Sequence, residues 1–130
     1  MSMEKNPIAN HLLHMQEAAA NVLRFVADVS KEHFRENDLL RQSVILNLLI
    51  LGEGAAQILK NHEEFALKYP DVQWRAIRGL RNIIAHNYFS IELDIIWNTV
   101  HEYVGHLHKQ LQAMLLDDAC KLQGDGGNEC

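Results

Sequence analysis

Apolar residues recur every three or four positions along almost the whole chain, and stretches with the alternating period of a strand are nearly absent. The first stripe, Ile8, Leu12, Met15, Ala19, Val22, Val26 and Val29, predicts a helix that opens at Pro7 and ends near residues 30–34. Proline suits a first helical turn, where its missing N–H is not needed. The polar turn Arg35-Glu36-Asn37-Asp38 follows, with Asp38 the expected N-cap. A second helix, over 39–61, is apolar almost all round from Ile45 to Leu51 and is therefore expected to be the central, most buried one. Gly52 and Gly54 inside it weaken a helix unless close packing uses the space that their missing side chains leave.

A short helical turn over 63–68 precedes Tyr69-Pro70, and Asp71 reads as the cap of a third helix over 72–85. The fourth starts at Ser90 or Ile91 and runs to about Leu116. Its apolar seam is Leu93, Trp97, Val100, Val104, Leu107, Leu111 and Met114, alternating steps of four and three. That spacing belongs to helices packed at shallow angles. The expected fold is all-α, an antiparallel bundle of four main helices plus a short helix. Residues 1–117 form the helical domain and 118–130 a flexible acidic tail.

A length of 130 residues fits one domain with a real core. The formal charge of −5 is unevenly spread. Asp117, Asp118, Asp125 and Glu129 against Lys121 put −3 of it in residues 117–130, while 72–88 holds three arginines and no acid. An acidic chain with one basic segment fits a site for a phosphate-bearing ligand better than a broad nucleic-acid groove. The first residues lack the apolar core of a secretory signal, and the greasy run 44–51 is too short to span a bilayer. Both point to the cytoplasm and away from a membrane. Cys120 and Cys130 make neither a disulfide framework nor a four-ligand metal site. His11 and His14 are three apart, yet no His-Glu-x-x-His motif or cysteine partner accompanies them. No metal and no cofactor is expected; a phosphate-binding glycine loop, a serine nucleophile elbow and a dinucleotide-binding pattern are all absent from the sequence.

The chemistry concentrates in Arg81-Asn82-Ile83-Ile84-Ala85-His86-Asn87-Tyr88, with Arg75 and Arg78 at helical spacing upstream. A guanidinium holds phosphate oxygens in a fixed fork and offsets charge that builds on a phosphorane-like transition state. A neutral imidazole takes the proton of a ribose 2′-hydroxyl, and a protonated one gives a proton to the leaving oxygen. Together they suit RNA cleavage in which the substrate's own 2′-hydroxyl is the nucleophile. Residues five apart on an unbroken helix lie ~140° apart. For Arg81 and His86 to cooperate, either the helix ends between them or a second copy of the chain completes the site. Spacing alone leaves a plainer reading open, with Arg81 paired to a surface carboxylate and His86 capping a helix C-terminus.

The string from Trp74 to Phe89, followed by Ile95-Ile96-Trp97, resembles the signature of HepT-like toxins of the HEPN superfamily. In that family four to six residues separate an arginine, usually followed by a polar residue, from a histidine, and the HepT branch adds a tyrosine two after the histidine. Arg81, Asn82, His86 and Tyr88 match each element. Leu51-Gly52-Glu53-Gly54-Ala55-Ala56 resembles the family's Gly-Glu-Ala segment, with Gly54 a variation, so the likeness covers about 39–100. The resemblance implies a dimeric, metal-independent ribonuclease toxin whose two Arg–His pairs meet in a cleft between subunits. It also implies a nucleotidyltransferase antitoxin of the MNT type that transfers AMP from ATP to Tyr88. Such a group beside His86 would fill the cleft and repel an RNA phosphate.

On that reading Arg81 and His86 are catalytic and Tyr88 is the modified residue. Arg75 and Arg78 either extend the positive surface for RNA or only solvate the helix, and Asn82 either orients a phosphate or His86 or is polar surface. Tyr88 has a plainer alternative too, packing at the helix junction with its hydroxyl hydrogen-bonded. Glu53 sits in an apolar stretch and needs a partner; it either hydrogen-bonds near the motif or, the reading preferred, has a structural role. Trp74 and Trp97 are expected in the core. The competing function is a non-catalytic helical module that binds a nucleotide or docks a partner.

Overall fold

The computed structural model describes residues 6–122, with side chains to 117. Its helices are α1 (Pro7–Val26), α2 (Lys31–Glu36), α3 (Asp38–Asn61), α4 (Glu63–Leu67), α5 (Trp74–Asn87), α6 (Leu93–Thr99) and α7 (Gly105–Leu122). A 3-10 turn, Tyr88–Ser90, follows α5, and a π turn, Val100–Val104, joins α6 to α7 into one long helix. Strands are absent among the described residues. The all-α bundle of four long helical segments is as the periodicity predicts, with one more short helix, α2, than expected.

α3 lies at the centre, against α1 on one side and α5 on the other, while α7 packs on α1. Met15 meets Gly54 and Asn21 meets Asn47, so α1 and α3 run antiparallel. The core is continuous across the bundle, from Leu12, Met15 and Val22 through Val44, Leu48, Leu51 and Ile58 to Val104, Leu107, Leu111 and Met114. That burial explains why α3 is long and apolar enough to cross a membrane by length and composition. Buried Asn47 is satisfied inside this core: its amide donates to the Ser43 carbonyl at 2.7 Å, and its oxygen accepts from Asn21 at 3.3 Å.

The helix boundaries depart from expectation where short polar side chains act on the backbone. α1 starts as expected, with Pro7 in the first turn and Asn6 accepting from the Ala9 N–H at 3.0 Å. It ends at Val26, short of 30–34. Asp28 takes the left-handed conformation at φ 59°, which aspartate tolerates better than most residues. Ser30 then caps α2 by accepting from the His33 N–H at 3.0 Å, and Phe34 turns into the core against Trp97, ring centroids 5.4 Å apart. Asn37, not Asp38, caps α3, accepting from the Leu40 N–H at 2.9 Å. Asp38 is the first helical residue, where its charge favours the positive end of the helix. α5 begins after Gln73 with no side-chain cap, so Asp71 does not serve as one. Trp74 is held instead by its indole N–H donating to the Tyr69 carbonyl at 3.2 Å.

The seam of the last helix holds from Val100 onward. Above the π turn it shifts by one residue, and Ile96 is buried while Leu93 and Trp97 are only partly so. α7 runs on to Leu122, past the predicted end near Leu116; the rest of the acidic tail lies outside the described residues. α2 is tied to the start of α6 by Lys31 and Arg35, which both pair with Asp94. Gly105, helical and with open space where a Cβ would stand, marks a cheap gain. Gly105→Ala is expected to stabilise the protein by about 0.5–1 kcal/mol, read as a higher midpoint in urea unfolding.

Candidate active site

α5 carries the motif, and it is anchored to the bundle by Trp74, Ile77 and Ile84. Gly52 decides how closely it lies on α3. A Cβ there would stand 2.8 Å from the Arg81 amide nitrogen, 2.9 Å from the Arg81 Cβ and 3.1 Å from the Ile77 carbonyl oxygen. The absent side chain therefore lets the two backbones touch at Arg81, the use that a glycine within this helix required. The next residue, Glu53, faces outward beside the contact, and its Oε1 accepts a hydrogen bond from Arg81 Nη1 at 3.1 Å.

The helix does not end between Arg81 and His86. α5 is continuous to Asn87, so the first of the two ways of uniting the pair is ruled out within this chain. Arg81 leans on α3, with Arg78 on the neighbouring stripe; Arg75, Asn82 and His86 cluster on a second face, ~100–140° round from Arg81. His86 is exposed and makes no side-chain hydrogen bond among the described residues. It lies in the last turn, where a cation complements the helix dipole. Arg75 and Arg78 form no ion pair among the described residues. Asn82 is exposed, and the next amide along, Asn87, donates to the Ile83 carbonyl at 3.3 Å.

Tyr88 leaves α5 for the 3-10 turn. Its ring stands edge-on to Phe89 at 5.2 Å, and its hydroxyl has no hydrogen-bond partner among the described residues. Tyr88 is 47% exposed; of the plainer alternative, packing at the helix junction with a hydrogen-bonded hydroxyl, the structure shows the ring contact but no hydroxyl partner among the described residues. Exposed apolar side chains lie beside the motif: Ile83 is 48% and Phe89 99% exposed. Leu46 and Ile50 are exposed too, on the stripe of α3 that carries Glu53.

The sequence reading preferred a structural role for Glu53 over a hydrogen bond near the motif, yet it is the residue that contacts Arg81. Each of its oxygens has a donor, Arg81 on one and Gln57 Nε2 at 3.0 Å on the other; Gln57 Oε1 in turn accepts from Asn61 Nδ2 at 3.0 Å. The signal was the spacing of 53, 57 and 61, a polar ladder up one side of an apolar helix. These bonds hold the Glu53 carboxyl below the usual carboxylate range, Gln57 acting most strongly and Arg81 next, against partial desolvation. His11 lies on α1 beside His62, ring centroids 6.0 Å apart. Burial first, then the neighbouring His62 and His14, lower its pKa, with Glu53 opposing. Among the described residues no three His, Cys, Asp or Glu side chains are placed to hold a metal ion. Trp74 is buried, while Trp97 is half-buried between Phe34 and His101, its ring 3.9 Å from the histidine's.

A family model described as ribonuclease HepT-like matches residues 15–114. The chain is 34% identical over 110 residues to a Methanocaldococcus jannaschii protein named "Putative RNase MJ1380", covering 85% of this chain and 98% of that one. It is 30% identical over 105 residues to "Putative RNase TTE0752" of Caldanaerobacter subterraneus, covering 81% and 91%. With "Probable ribonuclease HepT" of Thermococcus cleftensis the identity is 25% over 105 residues, covering 81% and 93%. No solved structure matches the chain significantly.

Proposed function

The chain belongs to the HepT-like ribonuclease family, and from that membership we propose that it is a metal-independent RNA endonuclease working as a homodimer in the cytoplasm. The observation that carries the proposal is the placement of the motif. Arg81 and His86, whose imidazole makes no side-chain hydrogen bond among the described residues, are on the surface of one continuous helix and turned to different sides, with the exposed apolar residues Ile83 and Phe89 beside them. A second copy packed on Ile83, Phe89, Leu46 and Ile50 covers that apolar surface and sets Arg81 of one chain against His86 of the other.

In such a cleft Arg81 binds the scissile phosphate and offsets the charge that grows on its oxygens. His86 of the other chain, neutral, takes the 2′-hydroxyl proton as the 2′-oxygen attacks phosphorus. The same ring, now protonated, gives a proton to the 5′-oxygen as the P–O5′ bond breaks. The products are a 2′,3′-cyclic phosphate and a 5′-hydroxyl. Arg75 and Arg78, without carboxylate partners among the described residues, extend the phosphate path, and Asn82 sits on the His86 face to steady the substrate or the ring.

Tyr88 is the control point in this reading, in which the protein is the toxin of a toxin–antitoxin pair. Its exposed hydroxyl attacks the α-phosphorus of ATP in the active site of a nucleotidyltransferase antitoxin. Pyrophosphate leaves, the phenolic proton goes to solvent, and AMP remains on Tyr88, where its charge repels RNA. The test is incubation of the purified protein with RNA, and with its all-2′-deoxy counterpart, in EDTA. Cleavage of RNA alone, ending in cyclic phosphate, is expected. Cutting of the deoxy strand, or no cutting by protein unmodified on Tyr88, would sink the proposal. For the antitoxin, a mass gain of one or more AMP units confined to Tyr88 is expected after incubation with partner and ATP.

A further inference from the structure

Glu53 is half exposed, and so is the arginine it holds. Ion pairs of this kind contribute little to stability, because solvent screens them and two long side chains lose freedom. The contact is nevertheless built with care. Gly52 brings the Arg81 backbone onto α3, so the guanidinium reaches Glu53 from directly alongside. Gln57 and then Asn61 brace the carboxylate from its far side, each through a 3.0 Å bond to the residue four before it. An arrangement that adds little stability but fixes a direction has its use in orientation.

We propose that Glu53 is a positioning residue that fixes the orientation of the Arg81 guanidinium, with Gln57 and Asn61 as its brace. The role rests on the reading of Arg81 as the phosphate-binding group. With Nη1 committed to Glu53, the guanidinium keeps Nη2 and Nε as donors for phosphate oxygens, in a plane set before substrate arrives. Pre-orientation of that kind acts on turnover, since a misplaced catalytic group costs rate more than binding. The low pKa of Glu53 keeps the carboxylate charged throughout the neutral range, so the brace does not come and go with pH there.

The test compares Glu53→Ala, Glu53→Gln and Gln57→Leu in the full chain. Glu53→Ala is expected to lower kcat for RNA about tenfold while KM stays level or falls, because a negative charge near the phosphate is gone. Glu53→Gln, which keeps an oxygen for Arg81, is expected to recover most of that loss, and Gln57→Leu to lie between. Thermal midpoints should stay close to wild type in all three. Unchanged kcat in Glu53→Ala, a glutamine variant no better than alanine, or a fall in kcat that only follows a fall in melting temperature would each overturn the role. A second readout does not need activity. The Arg81 Nε–Hε group should be ordered by NMR relaxation in wild type and released in Glu53→Ala. If wild type cleaves no RNA, an ordered Arg81 that Glu53→Ala frees upholds the positioning contact while the ribonuclease proposal fails. A mobile Arg81 in wild type overturns the positioning itself.

Discussion

Mixing Arg81→Ala protein with His86→Ala protein is expected to restore RNA cleavage that neither variant shows alone. Each variant by itself should lose activity heavily: about 10²–10³-fold without the charge-stabilising donor, and about 10²–10⁴-fold without the acid–base group. The restoration follows from α5 being continuous through the motif. If a working site joins Arg81 of one chain to His86 of the other, a mixed dimer holds one site lacking both groups and one site intact. Random exchange makes half the dimers mixed, so about a quarter of wild-type activity should return. The measurement is a cleavage assay after the two proteins are unfolded and refolded together, with dimer composition read by mass. Full exchange without any recovery would mean that each chain uses its own pair, and the shared cleft would have to be abandoned.

Gly52→Ala is expected to destabilise the protein by about 1–3 kcal/mol and to lower its activity, although alanine is the better helix former by about 1 kcal/mol. The added methyl group meets backbone and the Arg81 Cβ at 2.8–2.9 Å, atoms that cannot turn aside, so α3 and α5 must move apart. That movement also draws Arg81 away from Glu53. Gly54→Ala is the internal comparison. There the methyl group meets the Cγ and Sδ of the Met15 side chain, and methionine can turn into another rotamer. Chemical unfolding of both variants decides the matter: a Gly52→Ala protein as stable as wild type would show that the close approach of the two helices constrains nothing.

The bundle was legible because long amphipathic helices repeat their signal over many residues. The stripe from Leu12 to Val26 and the seam from Val100 to Met114 are both buried as read. Gly52 could be read as a close-packing glycine for the same reason, a weak helix former in the most buried helix. What could not be read depended on a single residue or on distance in the chain. The end of α1 turns on Asp28 accepting a positive φ and on Ser30 finding the His33 amide. The choice of Asn37 over Asp38 as cap is a matter of one residue, and both are good caps. At the site, the motif itself was plain, and all of its residues but Tyr88 lie on one helix. Whether that helix broke before His86 was open, because Asn87 and Ser90 look like boundary residues and α5 does end at Asn87. The Arg81–Glu53 bond joins residues 28 apart, and nothing in either local pattern specifies the other.

The π turn has a further consequence, for how this fold can change over generations. One residue more than an α-helix needs is accommodated at Val100–Val104, and it sets α6 ~100° out of phase with α7. Ile96 therefore occupies the inward place that Trp97 would hold in an unbroken helix, and Trp97 is released to the side, against Phe34 of α2. An insertion or deletion of one residue at this point alters the phase of α6 alone. The lower bundle, from Val104 to Met114, keeps its packing whichever way α6 is turned. The segment that leads out of Tyr88–Ser90 can thus be re-aimed by the smallest of genetic changes while the core that supports α5 stays as it is.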